Sequence, residues 1–379
     1  MSEEASPGDV LNARLTSLLV RTVDRQRHVR HGLMAVARVD GSWRWRGAHG
    51  VADLAGTPAA VAHRYPIASV TKVFTATVTM LLVEQRRLAL ETRLVDLIPA
   101  ETAQRLHVLD GVDRTAELTV EHLLSHTSGL PDYFDQAPPG GRSAQARLLA
   151  GEDAPVPFDE VLRLVRDELT PHFAPQPVDA AKRRARYADT NYQLLGLALE
   201  TVTGQPMASL FDMLLLGPLA LDDTSSYPHA PRSGASAEPS VNVWAKNTVL
   251  KPGGALRHQV PDGGIISTLD DQVRFMRAIV NGKVFADPAT WQRMQTPTNK
   301  IYFPIGYGLG LMRYAPARWM SPFFAIPPLI GHTGSTATWL FHSPDLGVIL
   351  AGAFDVAQPP LPFRFLPHVL RAVAATGSG

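Results

Sequence analysis

The stretch from Tyr65 to Arg86 constrains this chain more than any other. It reads Tyr-Pro-Ile-Ala-Ser-Val-Thr-Lys over residues 65 to 72 and then runs apolar from Val73 to Val83. Pro66 disfavours a helix before it, while Val73, Ala76, Thr77, Met80 and Leu81 recur at helical spacing. Ser69 is therefore expected on the first turn of a buried helix. Residues three apart share a helix face, which puts Lys72 on the side of the Ser69 hydroxyl. That pairing is a candidate nucleophile with a basic neighbour. Six lysines and 19 serines in 379 residues would produce one Ser-x-x-Lys about 0.3 times by chance. Taken alone, the motif fits an ordinary serine-capped helix start equally well.

Composition excludes several classes. With 36 basic against 35 acidic residues, no strong field is available for nucleic acid or anionic lipid. No run reaches the ~18 apolar residues of a membrane helix, and Met1-Ser2-Glu3-Glu4 opens no secretory leader. A cytoplasmic protein is expected, unless a leader has been removed. The absence of cysteine excludes disulfides, thiol catalysis and zinc–thiolate sites. No cofactor is called for, and nothing fixes an oligomeric state.

Along the chain, residues 9–28 read as an amphipathic helix. Leu33 to Val39 and Ser42 to Val51 flank Asp40-Gly41, a strong hairpin signal. Residues 90–230 read as mainly helical, with segments at Leu118 to Leu124, Phe158 to Leu169 and Asn191 to Thr203. A loop over 135–157 is a candidate lid. Strand-like segments return at Gly263 to Ser267, Tyr307 to Met312, Thr338 to His342 and Gly347 to Ala353, before a closing helix from Pro362. The expected architecture is α+β: one antiparallel sheet flanked by helices and built from both termini (1–89 and 240–379), with a mainly helical domain (90–239) inserted. The active site would lie between the two.

Three further clusters bear on chemistry. Arg186-Tyr187-Ala188-Asp189 stands at the entrance to an apolar helix. A phenol acts as a base only when cations hold it ionised or when it relays a proton; packing, with Asp189 as helix cap, is the alternative. Gly331-His332-Thr333-Gly334-Ser335 precedes a strand, and its small residues suit either close substrate approach or a plain turn. His122 and His126 are four apart, but no third ligand accompanies them, so no metal site is expected.

Taken together, Ser69-Val70-Thr71-Lys72, Tyr187-Ala188-Asp189 and His332-Thr333-Gly334 stand in the order and spacing of three motifs of the serine β-lactamase and penicillin-binding-protein superfamily. Leu123 to Leu130, Asn191 to Gly196 and Gly217-Pro218-Leu219 resemble its class C β-lactamase-like branch, which includes esterases, D-amino-acid peptidases and acyltransferases. The resemblance covers about residues 30–355 and implies a β-lactamase-like fold. It implies Ser69 as the acylated nucleophile, Lys72 as its activator and Tyr187 as proton relay, with His332 assisting hydrolysis. It also implies the N–H groups of Ser69 and Ser335 as oxyanion hole, and Asp189, Thr333, Gly334 and Trp339 as substrate-binding residues.

Two departures matter. His332 stands where class C β-lactamases carry lysine, and its charge near neutral pH is expected to be partial. Recognition of a substrate carboxylate should weaken, favouring neutral esters or amides over β-lactams. Asp189 stands where asparagine is common, and contact with Lys72 would favour the protonated amine. The aromatic segment from Arg313 to Pro328, with Tyr314, Trp319, Phe323 and Phe324, suits an apolar substrate wall or plain packing. The function expected is therefore a serine hydrolase acting on carboxylic esters with apolar acyl or aromatic groups. Its alternatives are an acyltransferase or peptide cyclase using the same intermediate, a D-amino-acid peptidase or amidase, a weak β-lactamase, and, last, a non-catalytic binding protein.

Overall fold

The computed structural model describes residues 6–376 except 153–154, 181, 246–247, 251–257, 297, 322–323 and 358–359. Its frame is an eight-stranded sheet, every neighbouring pair antiparallel. The strands are β1 (His31–Arg38), β2 (Arg44–Gly50), β3 (Asn299–Tyr302), β4 (Ile305–Tyr307), β5 (Met312–Tyr314), β6 (Leu329–Thr333), β7 (Thr338–Ser343) and β8 (Val348–Phe354). Their spatial order is β3-β4-β5-β6-β7-β8-β1-β2. The amino-terminal hairpin thus completes a sheet laid down by the last third of the chain, with Gly32 opposite Phe354.

Side chains alternate between the two faces of a strand, and here each face has its own core. On one face Met34, Val36, Trp339, Phe341 and Leu350 pack with helices α1 (Pro7–Arg25) and α6 (Leu361–Ala374). On the other, Leu33, Ala35, Leu340, Ile349 and Ala351 pack in the cluster of α2 (Thr71–Glu84) and α5 (Leu269–Val280). The α2 helix is buried on nearly every side, as a helix apolar all round should be. Its threonines are satisfied: Thr75 donates to the Pro261 carbonyl, Thr77 to Val73 and Thr79 to Thr75.

Between residues 90 and 230 the described residues form helices joined by loops. Helix α3 (Val120–Ser125) opens with a capping box between Thr119 and His122 and stops where His126 turns left-handed at φ 57°. Helix α4 (Asp189–Thr203) is capped by Ala188 rather than Asp189 and closes at Gly204. One strand expectation fails. Tyr307 to Met312 is two strands joined by a tight turn, in which Gly310 has φ 80° and donates its N–H to the Leu124 carbonyl. A side chain there would run into Ala76 on α2. No helix among the described residues is long and apolar enough to cross a membrane.

Candidate active site

Ser69 lies in a single 3₁₀ turn, Ala68–Val70, directly before α2. Ala68 has φ 48°, a left-handed conformation costly for any residue with a Cβ. The turn is held from both sides: the Ile67 N–H donates to the Ile265 carbonyl, and the Ile67 carbonyl accepts from the Thr338 hydroxyl at 2.8 Å. The serine N–H thus sits at the amino-terminal end of a 14-residue helix, where the backbone dipole favours negative charge.

Lys72, one turn on, is fully buried. Its Nζ lies 3.3 Å from Ser69 Oγ, 2.7 Å from the Asp262 carbonyl and 2.5 Å from Asp189 Oδ1. The Ser69 hydroxyl and the Asp262 carbonyl accept hydrogen bonds from the amine, and Asp189 stands within ion-pair range. The Asp189 contact that the sequence made conditional is therefore present.

Tyr187 is carried in by the loop before α4. Two hydrogen bonds to His126 hold the peptides on either side of it: the Arg186 N–H donates to the His126 carbonyl (2.9 Å) and the Ala188 N–H to Nδ1 (3.2 Å). The His126 ring lies 4.4 Å from the Tyr187 ring, and Lys72 Nζ is 5.2 Å from that ring's centre. Burial, then the negative charge of Asp189, pushes the phenol far above its ordinary value, while a hydrogen-bonding contact with Ser69 acts the other way. The buried hydroxyl makes no well-formed hydrogen bond. Tyr187 is thus a protonated phenol facing Ser69, suited to giving a proton rather than to standing ionised as a base.

The third motif spans the end of β6 and the turn that follows it. Gly334 must be glycine, because a Cβ would meet Ala68 Cβ at 2.8 Å and the Ile67 carbonyl at 2.9 Å, besides the Thr338 hydroxyl. The turn bearing Ser335 is thereby seated on the turn bearing Ser69. Both serines, with Tyr187, Asp189, Thr333 and Gly334, line one cavity of about 480 Å³. Its apolar side includes Phe134, Leu148, Val243, Ile301 and Met312. Its polar side carries four acidic residues, Asp132, Asp135, Asp189 and Asp262, and Arg186. Gln145 and Leu148, from the segment expected as a lid, reach this cavity.

Two expected site residues fall elsewhere. Trp339 is fully buried on the opposite sheet face, over Gly352 and against Phe354 and Phe365. It is a core residue, because odd positions of β7 face α1 and α6 while Thr338 faces the site. His332 is also fully buried and does not line the cavity. Its Nε2 meets the Tyr307 hydroxyl at 2.9 Å, its Nδ1 the Thr333 carbonyl at 2.6 Å. Burial, then the charge of Lys72, lowers its pKa to about 3, so the ring is neutral rather than partly charged. Of the two readings of the aromatic segment, packing accounts for Tyr314 and Phe324. Tyr314 packs on Phe363 in the core, Phe324 packs beside it, and Trp319 is 73% exposed and stacked on Phe303. Phe323 lies outside the described residues.

Several neighbours were not foreseeable from the sequence. Asp262, in a glycine-rich turn, accepts from the Tyr133 hydroxyl (2.9 Å) and the Gln193 amide (3.1 Å). Burial raises its pKa to about 8, offset in part by Lys72. Burial, then the charge of Asp189, also raises Asp132. His122 is no ligand candidate, since its nitrogens engage Thr119 and the Gln176 carbonyl. His126, weighed as a turn residue, is the support for Tyr187; the Leu124 to Gly129 cluster carried that signal.

Comparison with known proteins bears on the family and the fold. A family model described as Beta-lactamase matches residues 18–375. Esterase EstB of Burkholderia gladioli is 31% identical over 295 residues, covering 71% of this chain and 70% of the esterase. The unguisins hydrolase ungD of Aspergillus violaceofuscus is 26% identical over 318 residues, 74% of this chain; the matched region spans only 51% of that longer protein. Among solved structures, D-amino acid amidase from Ochrobactrum anthropi SV3 superposes with a TM-score of 0.75 at 20% identity, covering 97% of this chain and all of the amidase. The chain belongs to the Beta-lactamase family, within the serine β-lactamase and penicillin-binding-protein superfamily.

Proposed function

We propose that this protein is a serine hydrolase that forms an acyl-enzyme at Ser69 and acts on carboxylic esters with apolar acyl or aromatic groups. The observation that carries this reading is the 3.3 Å approach of Lys72 Nζ to Ser69 Oγ beside a largely apolar cavity. In the resting site the lysine donates to Ser69 and to the Asp262 carbonyl. To accept the serine proton it first gives one of its own to a carboxylate, and Asp189 is nearest. Ser69 Oγ then bonds to the substrate carbonyl carbon, and the oxyanion faces the N–H groups of Ser69 and Ser335. The leaving alkoxide takes the Tyr187 proton, and the Lys72 ammonium reprotonates the phenolate. Water releases the acid in the second half, its proton returning along the same groups.

A second reading, an amidase acting on amino-acid amides, is favoured by one specific feature. The acidic side chains of Asp135 and Asp189 on the cavity wall suit a substrate bearing an amino group, and the neutral His332 offers nothing to a substrate carboxylate. The likeness to D-amino acid amidase points the same way.

Intact mass spectrometry after brief exposure to p-nitrophenyl esters, amino-acid amides and a cephalosporin distinguishes the readings. The ester reading expects an acyl adduct on Ser69 from esters, absent in Ser69→Ala. Added amine or alcohol should divert little product from water; extensive diversion would make the chain an acyltransferase. Undiminished ester turnover by Ser69→Ala would overturn the assignment.

A further inference from the structure

A line of buried polar groups runs beneath the cavity floor. The Tyr192 hydroxyl donates to the Leu124 carbonyl at 3.1 Å and lies 3.4 Å from the Tyr307 hydroxyl. Tyr307 in turn meets His332 Nε2 at 2.9 Å, and His332 Nδ1 meets the Thr333 carbonyl at 2.6 Å. All three side chains are fully buried. The proton inventory admits one arrangement. A carbonyl oxygen only accepts, so His332 carries hydrogen on Nδ1 and Tyr192 commits its own to Leu124. Burial and Lys72 keep the imidazole neutral. Its Nε2 is then a bare lone pair, and the hydrogen between it and Tyr307 must come from the phenol.

We propose that Tyr307 is a positioning residue for the oxyanion turn: its O–H fixes His332 as the Nδ1–H tautomer, and His332 thereby pins the Thr333 carbonyl. Thr333 is the last residue of β6, and the Gly334–Ser335 turn that follows is seated on Ile67 and Ala68. A Thr333 carbonyl free to rotate would carry the Gly334 peptide with it and shift the Ser335 N–H. Without the phenol hydrogen, Nε2 is a buried acceptor with no donor, and the ring relieves this by changing tautomer or turning. Such a role would explain why a neutral histidine, walled in by tyrosine, can occupy a position where relatives carry a charged lysine. The inference rests on the acyl-enzyme reading only for its kinetic consequence.

The test uses ¹⁵N-histidine NMR of the full chain together with kinetics of Tyr307→Phe. The His332 resonances are assigned by their loss in His332→Gln. The wild type is expected to show a protonated Nδ1 and an unprotonated Nε2 at residue 332. In Tyr307→Phe that pattern shifts or splits, and kcat falls about 10- to 100-fold, as expected for sub-ångström misplacement of a catalytic donor, with KM nearly unchanged. An Nε2-protonated His332 in the wild type overturns the proposal whether or not the variant folds. So does a loss of kcat in Tyr307→Phe that leaves the His332 signals unmoved. The tautomer needs no substrate to be read, so failure of the hydrolase reading would show separately, as a wild type that turns over no ester or amide.

Discussion

Lys72 Nζ lies 2.5 Å from Asp189 Oδ1 while also reaching Ser69 Oγ at 3.3 Å. The amine is thus shared between the group it would activate and a carboxylate that favours its charged form. Asp189→Asn removes that attraction. Because Asp189 is also the carboxylate that takes the lysine's proton in the proposed route, kcat on an activated ester should fall in the variant with KM little changed. The stability cost should fall well short of the about 3–5 kcal/mol of a broken isolated buried pair, because Asp189 also repels Asp132 and Asp262. An undiminished kcat would detach Asp189 from the proton inventory.

Tyr133 and Asp262 form a second buried pair, the phenol donating at 2.9 Å. Tyr133→Phe leaves a carboxyl oxygen without its donor. Urea unfolding should register a loss of about 1–3 kcal/mol. Since Lys72 is held by the Asp262 carbonyl, kcat should fall as well.

Gly334→Ala should leave a folded protein of low activity. The new methyl meets Ala68 and the Ile67 carbonyl, which forces the two turns of the oxyanion site apart. A displacement near 1 Å costs on the order of 100-fold in rate, measurable as kcat on an activated ester, while far-UV circular dichroism stays native.

Trp339 gives the opposite signature. Trp339→Ala empties part of the core under α6 and should destabilise by about 3–5 kcal/mol. Its KM for ester should stay at the wild-type value at a temperature where it is folded. A large KM effect without loss of stability would return Trp339 to the substrate site.

Stability should peak near pH 6.5 and fall more steeply on the acid side. Burial lowers His31 and His342 to about 4 and His332 to about 3, and depresses His107, His122, His126 and His172 too. Below about pH 6.5 the unfolded chain binds protons that these folded histidines refuse, so acid favours unfolding. Each such proton is worth up to about 1.4 kcal/mol per pH unit. Asp262 and Asp355, raised by burial to about 8 and about 6, act in the opposite sense. They hold protons in the fold that the unfolded chain releases, so stability declines as pH rises from about 4 towards 8. The histidines outnumber them in the acid range, whereas only the carboxyls act above 6.5. Melting temperatures across pH 4.5–8.5 check the shape.

What could be read in the sequence was what neighbours along the chain dictate. Ser69 and Lys72 are one helical turn apart, and that periodicity needs no tertiary knowledge. Strand parity is different. A period of two separates Trp339 from Thr338, yet only the partner layers decide which face holds the site. Asp262 was invisible for a related reason. It lies 190 residues from Lys72 in a turn that reads as connective, and its role arises from a backbone carbonyl that every residue has. The charge state of His332 was misjudged because burial, not residue type, sets it.

The pairing of Gly32 with Phe354 also carries a consequence for biosynthesis. During translation the first hairpin leaves the ribosome with one hydrogen-bonding edge open, and its partner is more than three hundred codons away. The serine turn is pinned by Thr338, also made late. Nascent chains should therefore stay inert, exposed to wrong strand pairings and dependent on chaperones until synthesis is nearly finished, with activity arriving abruptly rather than by degrees.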